Sequence, residues 1–320
     1  MSGVVLHIGL PKTGTTTLQK AVFPHLPGVA YAGKRIPGYG FATQSLGEAV
    51  AATISADSAL ADPAPALAAA VAELRAQCGA GTLVLSTESL AHPAARDLGL
   101  VADRLARAVP DARILITLRA QPALALSWYR SHGRFAQYLF THKTEAERIP
   151  AQLAQRDWWR LVAREPRGGL LAALDFDALV GCYERRFGGR VTVLPLELLA
   201  ADRAAYAARL AGALEVPASA CAPLLADAHE NRGLSAREVA AARLLGRVGL
   251  RTDFLEHRGR SALRRWLAGG PSADPALDPA IADDLRARFA AGNRRLAERI
   301  PDLRLAALGY DLSARGDGIA

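Results

Sequence analysis

Short apolar runs alternate with helical segments along much of the chain. Four runs bounded by turn residues predict buried strands: 3–10 (GVVLHIGL), 82–88 (TLVLSTE), 112–119 (ARILITLR) and 190–199 (RVTVLPLELL). Strands that are apolar almost throughout are typical of parallel sheets covered on both faces. The pattern therefore predicts an α/β fold of three layers, with a central parallel sheet flanked by helices.

Helical patterns fill the segments between these runs. Residues 48–77 predict two helices separated by the prolines of ADPAP, and further helices are expected over 94–109, from Pro122 onward and over 175–189. From about residue 230 the pattern is almost wholly helical. We expect a single domain over residues 1–320, with an α/β nucleotide-binding core at 1–228 and a helical extension at 229–320.

Composition narrows the classes of ligand. The net charge is +8, and nearly all the positive charge is arginine, because the 320 residues include only four lysines: Lys12, Lys20, Lys34 and Lys143. An arginine-rich balance favours anionic ligands such as nucleotides, sulfated or phosphorylated acceptors, or nucleic acid. Three widely spaced cysteines and the lack of a leader or a membrane-length apolar run lead us to expect a cytoplasmic protein.

The stretch HIGLPKTGTTTLQ, residues 7–19, joins the first predicted strand to a helix. A phosphate-binding loop requires a tight turn at a strand end, inward-pointing amides and a helix start. Pro11 and Gly14 suit the turn, Lys12 brings a positive charge, and Thr15, Thr16 and Thr17 bring hydroxyl donors. The lysine precedes the glycine, however, whereas the usual ATP-binding loop has lysine directly after it.

This stretch closely resembles the 5'-phosphosulfate loop of sulfotransferases that use 3'-phosphoadenosine 5'-phosphosulfate (PAPS), including bacterial members with a fold related to that of P-loop proteins. The stretch LRAQPALALSWYR resembles the 3'-phosphate motif of the same family, with Arg119 followed eight residues later by Ser127. STESL lies where the family carries its catalytic base, and FGGRVTVLPLELLAAD resembles a later strand and helix. Family members often have Tyr-Glu where this chain has Leu196 and Glu197, so the adenine contacts are unassigned.

The resemblance implies transfer of a sulfuryl group from PAPS to a hydroxyl or amine of a small-molecule or carbohydrate acceptor. Lys12 would stabilise the leaving phosphate and Glu88 would take the acceptor's proton, without a metal ion. The residues that it implies for PAPS binding are Pro11, Lys12, Thr13, Gly14, Thr15, Thr16, Thr17, Arg119, Ser127, Arg232 and Gly233.

Other interpretations remain open. Glu88 could instead cap a helix or pair with an arginine, in which case His92 or His132 could act as the base. His7, inside the first strand, is expected to be a core residue or to support the site. The rival functions are a nucleotide-dependent kinase, disfavoured by the lysine position, and an arginine-rich nucleic-acid-binding protein, supported by composition alone. The acceptor and the oligomeric state are not predicted.

Overall fold

The structure is a computed structural model. Its described residues are 3–33, 41–55, 62–91, 97–130, 153–164, 169–226, 235–247, 266–267, 269–271 and 276–313. Arg232, Gly233, His92 and His132 therefore lie outside the described residues.

Parallel strands form a five-stranded sheet in the order β2-β3-β1-β4-β5. The strands are β1 (Val4–His7), β2 (Val29–Tyr31), β3 (Thr82–Ser86), β4 (Arg113–Leu118) and β5 (Val191–Pro195). β1 lies between β3 and β4, with Leu6 opposite Leu85 on one side and Ile114 on the other. The connection after β1 leads to β2, on the β3 side of β1, whereas the connection after β4 leads to β5, on the opposite side. The direction of the connections therefore reverses between β1 and β4. Open α/β sheets bind ligands at the carboxyl ends of strands that flank such a point.

The four predicted strands and the α/β fold with helices flanking a parallel sheet are confirmed. The fourth prediction ran too far: β5 ends at Pro195, and Leu196 begins a helix. Proline lacks a donor N–H and is tolerated here because β5 is an edge strand. β2 was not predicted, since its three residues give too little pattern to read.

Helices connect the strands. The described α-helices are α1 (Thr15–Thr17), α2 (Gln44–Ile54), α3 (Ala64–Gln77), α4 (Leu98–Ala108), α5 (Gln121–Trp128), α6 (Gln155–Ala163), α7 (Gly169–Ala173), α8 (Phe176–Phe187), α9 (Leu196–Ala201), α10 (Arg203–Leu214), α11 (Ala218–Ala226), α12 (Ala236–Arg247) and α13 (Pro279–Arg299). Aspartates cap several of them: Asp97, Asp175 and Asp202 each accept a hydrogen bond from the backbone N–H three residues later.

The helix after β1 is irregular. α1 continues into a π-helical turn, Leu18–Val22, and a short 3₁₀ turn, Phe23–His25. Its apolar residues pack into a core with strand residues from four of the five strands and with α10 and α11. That core includes Val5, Val84, Leu115, Leu194, Leu18, Val22, Phe23, Tyr206, Leu210, Leu214, Cys221 and Leu225. The irregular helix is thus fixed against the sheet by burial of its apolar face.

The chain divides into two compact units. The sheet unit comprises Met1–Ala120, Pro166–His229 and Arg288–Ala320, and the helical unit comprises Gln121–Glu165 and Glu230–Ala287. Each unit contains residues from both sides of the expected boundary between 228 and 229, and the expectation of a single domain stays a prediction.

The helical unit has its own buried contacts. Tyr129 donates a hydrogen bond to the carbonyl of Leu153 at 2.8 Å, and its ring lies 5.5 Å from that of Trp158. Trp159 donates from Nε1 to Asp284 at 2.7 Å, and Arg156 pairs with Asp278 at 2.6 Å. Aromatic packing and the hydrogen bonds of Tyr129 and Trp159 therefore hold this unit together, while Trp158 Nε1 is buried without a hydrogen-bond partner among the described residues.

Neither a membrane-spanning helix nor a group of metal-binding side chains is present among the described residues. None of the described helices combines the length and the apolar character needed to cross a bilayer. Within the same residues, no three His, Cys, Asp or Glu side chains are grouped as a metal site would require.

Candidate functional site

The loop after β1 has an unusual backbone. Lys12 has φ of 73° and Gly14 has φ of 87°, both in the left-handed region. Gly14 adopts this conformation freely, whereas a side chain such as that of Lys12 makes it cost roughly 1–2 kcal/mol. Such a residue persists only where its surroundings hold it, and conformations of this kind cluster at functional sites.

Three carbonyls of this loop accept hydrogen bonds from the protein. The Leu10 carbonyl accepts from Thr13 Oγ1 at 2.7 Å, and the Lys12 carbonyl accepts from a guanidinium nitrogen of Arg119 at 3.3 Å. The Gly14 carbonyl accepts from the N–H of Thr17 at 3.1 Å. A loop whose carbonyls are turned to the protein is left with its amides as the groups that can meet an anion.

The ammonium of Lys12 interacts electrostatically with a carboxylate and a guanidinium. Burial lowers the pKa of Lys12 below its ordinary value, the Glu88 carboxylate opposes the shift, and Arg119 adds to it. Glu88 follows β3 and Arg119 follows β4, the two strands beside β1. The sheet order therefore brings together three charged residues that are far apart in the sequence.

Glu88 is attached to the loop through Thr15, whose hydroxyl donates a hydrogen bond to Glu88 Oε1. Glu88 begins the short 3₁₀ turn Glu88–Leu90, but the capping oxygen of that turn belongs to Thr87, which accepts from the N–H of Ser89 at 3.3 Å. The capping role that was the plain alternative for Glu88 is thus filled by its neighbour. Its role as a base stays a prediction.

Buried polar side chains lie beneath the loop. His7 is fully buried, with Nδ1 2.7 Å from Ser86 Oγ and Nε2 3.2 Å from Thr117 Oγ1. Thr117 Oγ1 is in turn 2.8 Å from Thr13 Oγ1. The expectation that His7 is a core residue beneath the site is confirmed, and burial lowers its pKa to about 3. His7 is therefore neutral at ordinary pH.

A second carboxylate lies near Arg119. Glu197, at the start of α9, accepts a hydrogen bond from the N–H of Ala120 at 3.0 Å through Oε1, and its Oε2 lies 3.5 Å from the hydroxyl of the buried Tyr310. Burial raises the pKa of the Glu197 carboxyl, while Ala120 and the charge of Arg119 act to lower it. Glu197 thus fixes the backbone just after Arg119.

The structure brings together most of the residues predicted for the site. Those in the sheet unit, at the carboxyl ends of β1, β3 and β4, are Pro11, Lys12, Thr13, Gly14, Thr15, Thr16, Thr17, Glu88 and Arg119. The Thr13 hydroxyl is fully buried and bonded within the protein, so only the backbone of that residue can face a ligand. Ser127 is partly buried in α5, which belongs to the helical unit, and its pairing with Arg119 stays a prediction.

Sequence reasoning missed Ser86, Thr117, Gln19 and Glu197. A signal was present for two of them, because Ser86 and Thr117 are polar residues within otherwise apolar strands. Polar groups buried in such strands require hydrogen-bond partners, which marks them as members of a network. Gln19 and Glu197 carried no comparable signal, since their partners come from distant segments.

Comparison with known proteins finds similarity among solved structures. No family model matches the chain, and no match was found among curated proteins. Among solved structures, the chain is similar to a sulfotransferase from Alicyclobacillus acidocaldarius, with 18% sequence identity, a TM-score of 0.40 and coverage of 98% of each chain.

Gly9 should tolerate no side chain. A Cβ at this position would collide with Thr117 Oγ1, would lie 2.5 Å from Thr15 Cγ2 and would lie 3.1 Å from His7 Nε2. We expect Gly9→Ala to lower the free energy of unfolding by roughly 1–3 kcal/mol, as overpacking does. Gly189→Ala is the control, because a Cβ there has nothing within 4 Å. Denaturant unfolding measures both variants, and equal stabilities would show that the loop is not packed as described.

Burial of His7 should make stability depend on pH. The folded pKa of about 3 lies below the ordinary histidine pKa of 6.5, so the unfolded chain binds the extra proton as the pH falls between these values. Stability should fall across that window by up to about 1.4 kcal/mol per pH unit. His7→Gln should show a shallower loss of unfolding free energy between pH 7 and pH 5 than the wild type. His25→Gln, at an exposed position, should keep the wild-type profile, and a wild-type profile in His7→Gln would contradict the assignment.

Proposed function

We propose that this protein is a sulfotransferase that moves a sulfuryl group from PAPS to a hydroxyl or amine of an acceptor. The proposal rests on Lys12, which lies on a left-handed loop at the end of the central strand, has its carbonyl bonded to Arg119 and interacts electrostatically with Glu88 and Arg119. This arrangement combines an anion-binding loop, a base and a second cation at one edge of the sheet.

The loop suits the 5'-phosphosulfate. Its carbonyls at Leu10, Lys12 and Gly14 are bonded within the protein, so the amides around Gly14 and the ammonium of Lys12 are the groups that would bind the anion. PAPS, when bound, supplies the sulfuryl group and a phosphate leaving group. Lys12 would neutralise the charge that develops on the oxygen between sulfur and phosphorus as the bond from that oxygen to sulfur breaks.

Glu88 suits the removal of a proton. The acceptor's hydroxyl or amine would give its proton to Glu88 while its oxygen or nitrogen forms the new bond to sulfur. A carboxylate has about four positions for accepting hydrogen bonds, so the bond from Thr15 orients Glu88 without preventing this role. Thr15 thereby links the base to the phosphosulfate loop.

Arg119 suits the 3'-phosphate, the group that distinguishes PAPS from nucleotides such as ATP. Its guanidinium stands beside the loop, bonded to the Lys12 carbonyl, at the end of β4 where the sheet order reverses. A guanidinium is permanently charged and binds phosphate through parallel hydrogen bonds. In this proposal Arg119 and Ser127 bind the 3'-phosphate, and Arg232 and Gly233 add to that site. The positive charge for transfer comes from Lys12 and Arg119, without a metal ion.

Calorimetry tests the proposal directly. The protein should bind adenosine 3',5'-bisphosphate without magnesium, and more tightly than ATP, because Lys12 precedes Gly14 and Arg119 supplies a second cationic group beside the loop. The same titrations with ATP, with and without magnesium, serve as the control. ATP binding that is equal or tighter and requires magnesium would refute the proposal in favour of a kinase-like enzyme.

Lys12 should be required for turnover. Lys12→Ala removes charge that acts in the transition state, so the release of adenosine 3',5'-bisphosphate from PAPS, in the presence of mixed hydroxyl and amine acceptors, should slow roughly 100- to 1,000-fold. Alanine keeps the β-carbon, so the backbone strain at this position is nearly unchanged. Lys20→Ala is the matched control, at an exposed position on the following helix, and should retain wild-type turnover. Equal turnover rates in Lys12→Ala and Lys20→Ala would show that Lys12 takes no part in the reaction.

A further inference from the structure

The side chains beneath the loop form a continuous chain of hydrogen bonds. From the distal end, Gln19 Nε2 donates to Ser86 Oγ at 3.0 Å, and Ser86 Oγ lies 2.7 Å from His7 Nδ1. From the proximal end, Thr13 Oγ1 donates to the Leu10 carbonyl at 2.7 Å. Between these ends, His7 Nε2 lies 3.2 Å from Thr117 Oγ1, which lies 2.8 Å from Thr13 Oγ1. We call these side chains, together with the Leu10 carbonyl, the relay.

The direction of each bond follows from the carbonyl at its end. A carbonyl only accepts, so the single hydroxyl hydrogen of Thr13 is used on Leu10. Thr13 must then accept from Thr117, which uses the hydrogen of Thr117. Thr117 can consequently only accept from His7, so the hydrogen of the neutral imidazole lies on Nε2.

The same logic completes the distal end. With its hydrogen on Nε2, His7 accepts at Nδ1, so Ser86 donates to it. Ser86 Oγ then has two lone pairs left, and Gln19 and the hydroxyl of Tyr31 both hydrogen-bond to Ser86. Each hydrogen bond of the relay thus has only one possible direction. A fully satisfied buried network of this kind is rigid.

We propose that His7 is a positioning residue: held as the Nε2–H tautomer, it directs the relay that fixes the Leu10 carbonyl and so sets the loop that carries Lys12. His7 is in β1, Ser86 ends β3 and Thr117 is in β4, so the relay connects the three strands to the loop. Its ring is surrounded by uncharged groups, namely Ser86, Thr117 and the edge of Phe23 at 5.3 Å. The relay holds the loop before any ligand binds. The consequence for nucleotide affinity rests on the proposed function.

The tautomer can be read without a ligand. In protein with ¹⁵N-labelled histidine, the signals missing from His7→Gln identify His7, and correlation spectra of the ring nitrogens show which one carries hydrogen. We expect hydrogen on Nε2, exchanging slowly with water, and no hydrogen on Nδ1. A protonated Nδ1, or a mixture of tautomers, would overturn the proposal.

The coupling to the loop is tested with Thr117. Thr117→Val removes the hydroxyl at nearly constant volume, and amide hydrogen exchange at Thr17 and Leu18, whose N–H groups donate to the Gly14 carbonyl, should accelerate roughly tenfold, since one hydrogen bond and its partners are lost. Thr117→Ser restores the hydroxyl and should restore slow exchange. Thr53→Val is the matched control, because it removes another fully buried threonine hydroxyl, bonded to the Ala49 carbonyl in α2. It should leave the loop unchanged.

Nucleotide binding separates this proposal from the proposed function. Thr117→Val should weaken binding of adenosine 5'-monophosphate and adenosine 3',5'-bisphosphate by the same factor, roughly tenfold, because both place a 5'-phosphate on the loop. Exchange rates in Thr117→Val equal to those in Thr53→Val would overturn the relay, whatever the wild type binds. If the wild type binds neither nucleotide but the tautomer and exchange results hold, the relay stands and the proposed function fails.

Discussion

The conformation of the loop between β1 and α1 is the constraint on which the rest of the site depends. Lys12 at φ of 73° is unfavourable by itself, and the surrounding structure offsets its cost. Arg119 binds the Lys12 carbonyl from the end of β4, and Thr13 binds the Leu10 carbonyl from within the loop. These bonds turn the acceptors inward and leave a cationic side chain and amides at the surface of the loop.

The order of strands explains why these bonds are possible. β1 is paired to β3 on one side and to β4 on the other, so the segments that follow all three strands meet at one edge. Glu88 and Arg119 reach Lys12 for this reason, although they are far from it in the sequence. The polar residues Ser86 and Thr117 reach His7 from the same two strands. One topological fact thus positions both the charged groups and the support beneath them.

The predictions from sequence succeeded where local pattern and strand ends suffice. The apolar runs located four strands, and since parallel strands share a carboxyl edge, they also brought Lys12, Glu88 and Arg119 to one place. β2 was missed because Val29–Tyr31 is too short for periodicity, and the last strand was drawn past Pro195 because three of the four residues in Leu196–Leu199 are leucines. The bond directions of the relay depend on distances between segments, which a sequence does not contain.

We propose that this loop binds the 5'-phosphate of a nucleotide whose 3'-phosphate lies by Arg119. A crystal structure of the protein with adenosine 3',5'-bisphosphate would test it most directly. We expect 5'-phosphate oxygens within about 3 Å of the Lys12 ammonium and of backbone nitrogens near Gly14, with Lys12 still at positive φ. A nucleotide bound with its 5'-phosphate away from this loop would show that the loop is not the phosphate site.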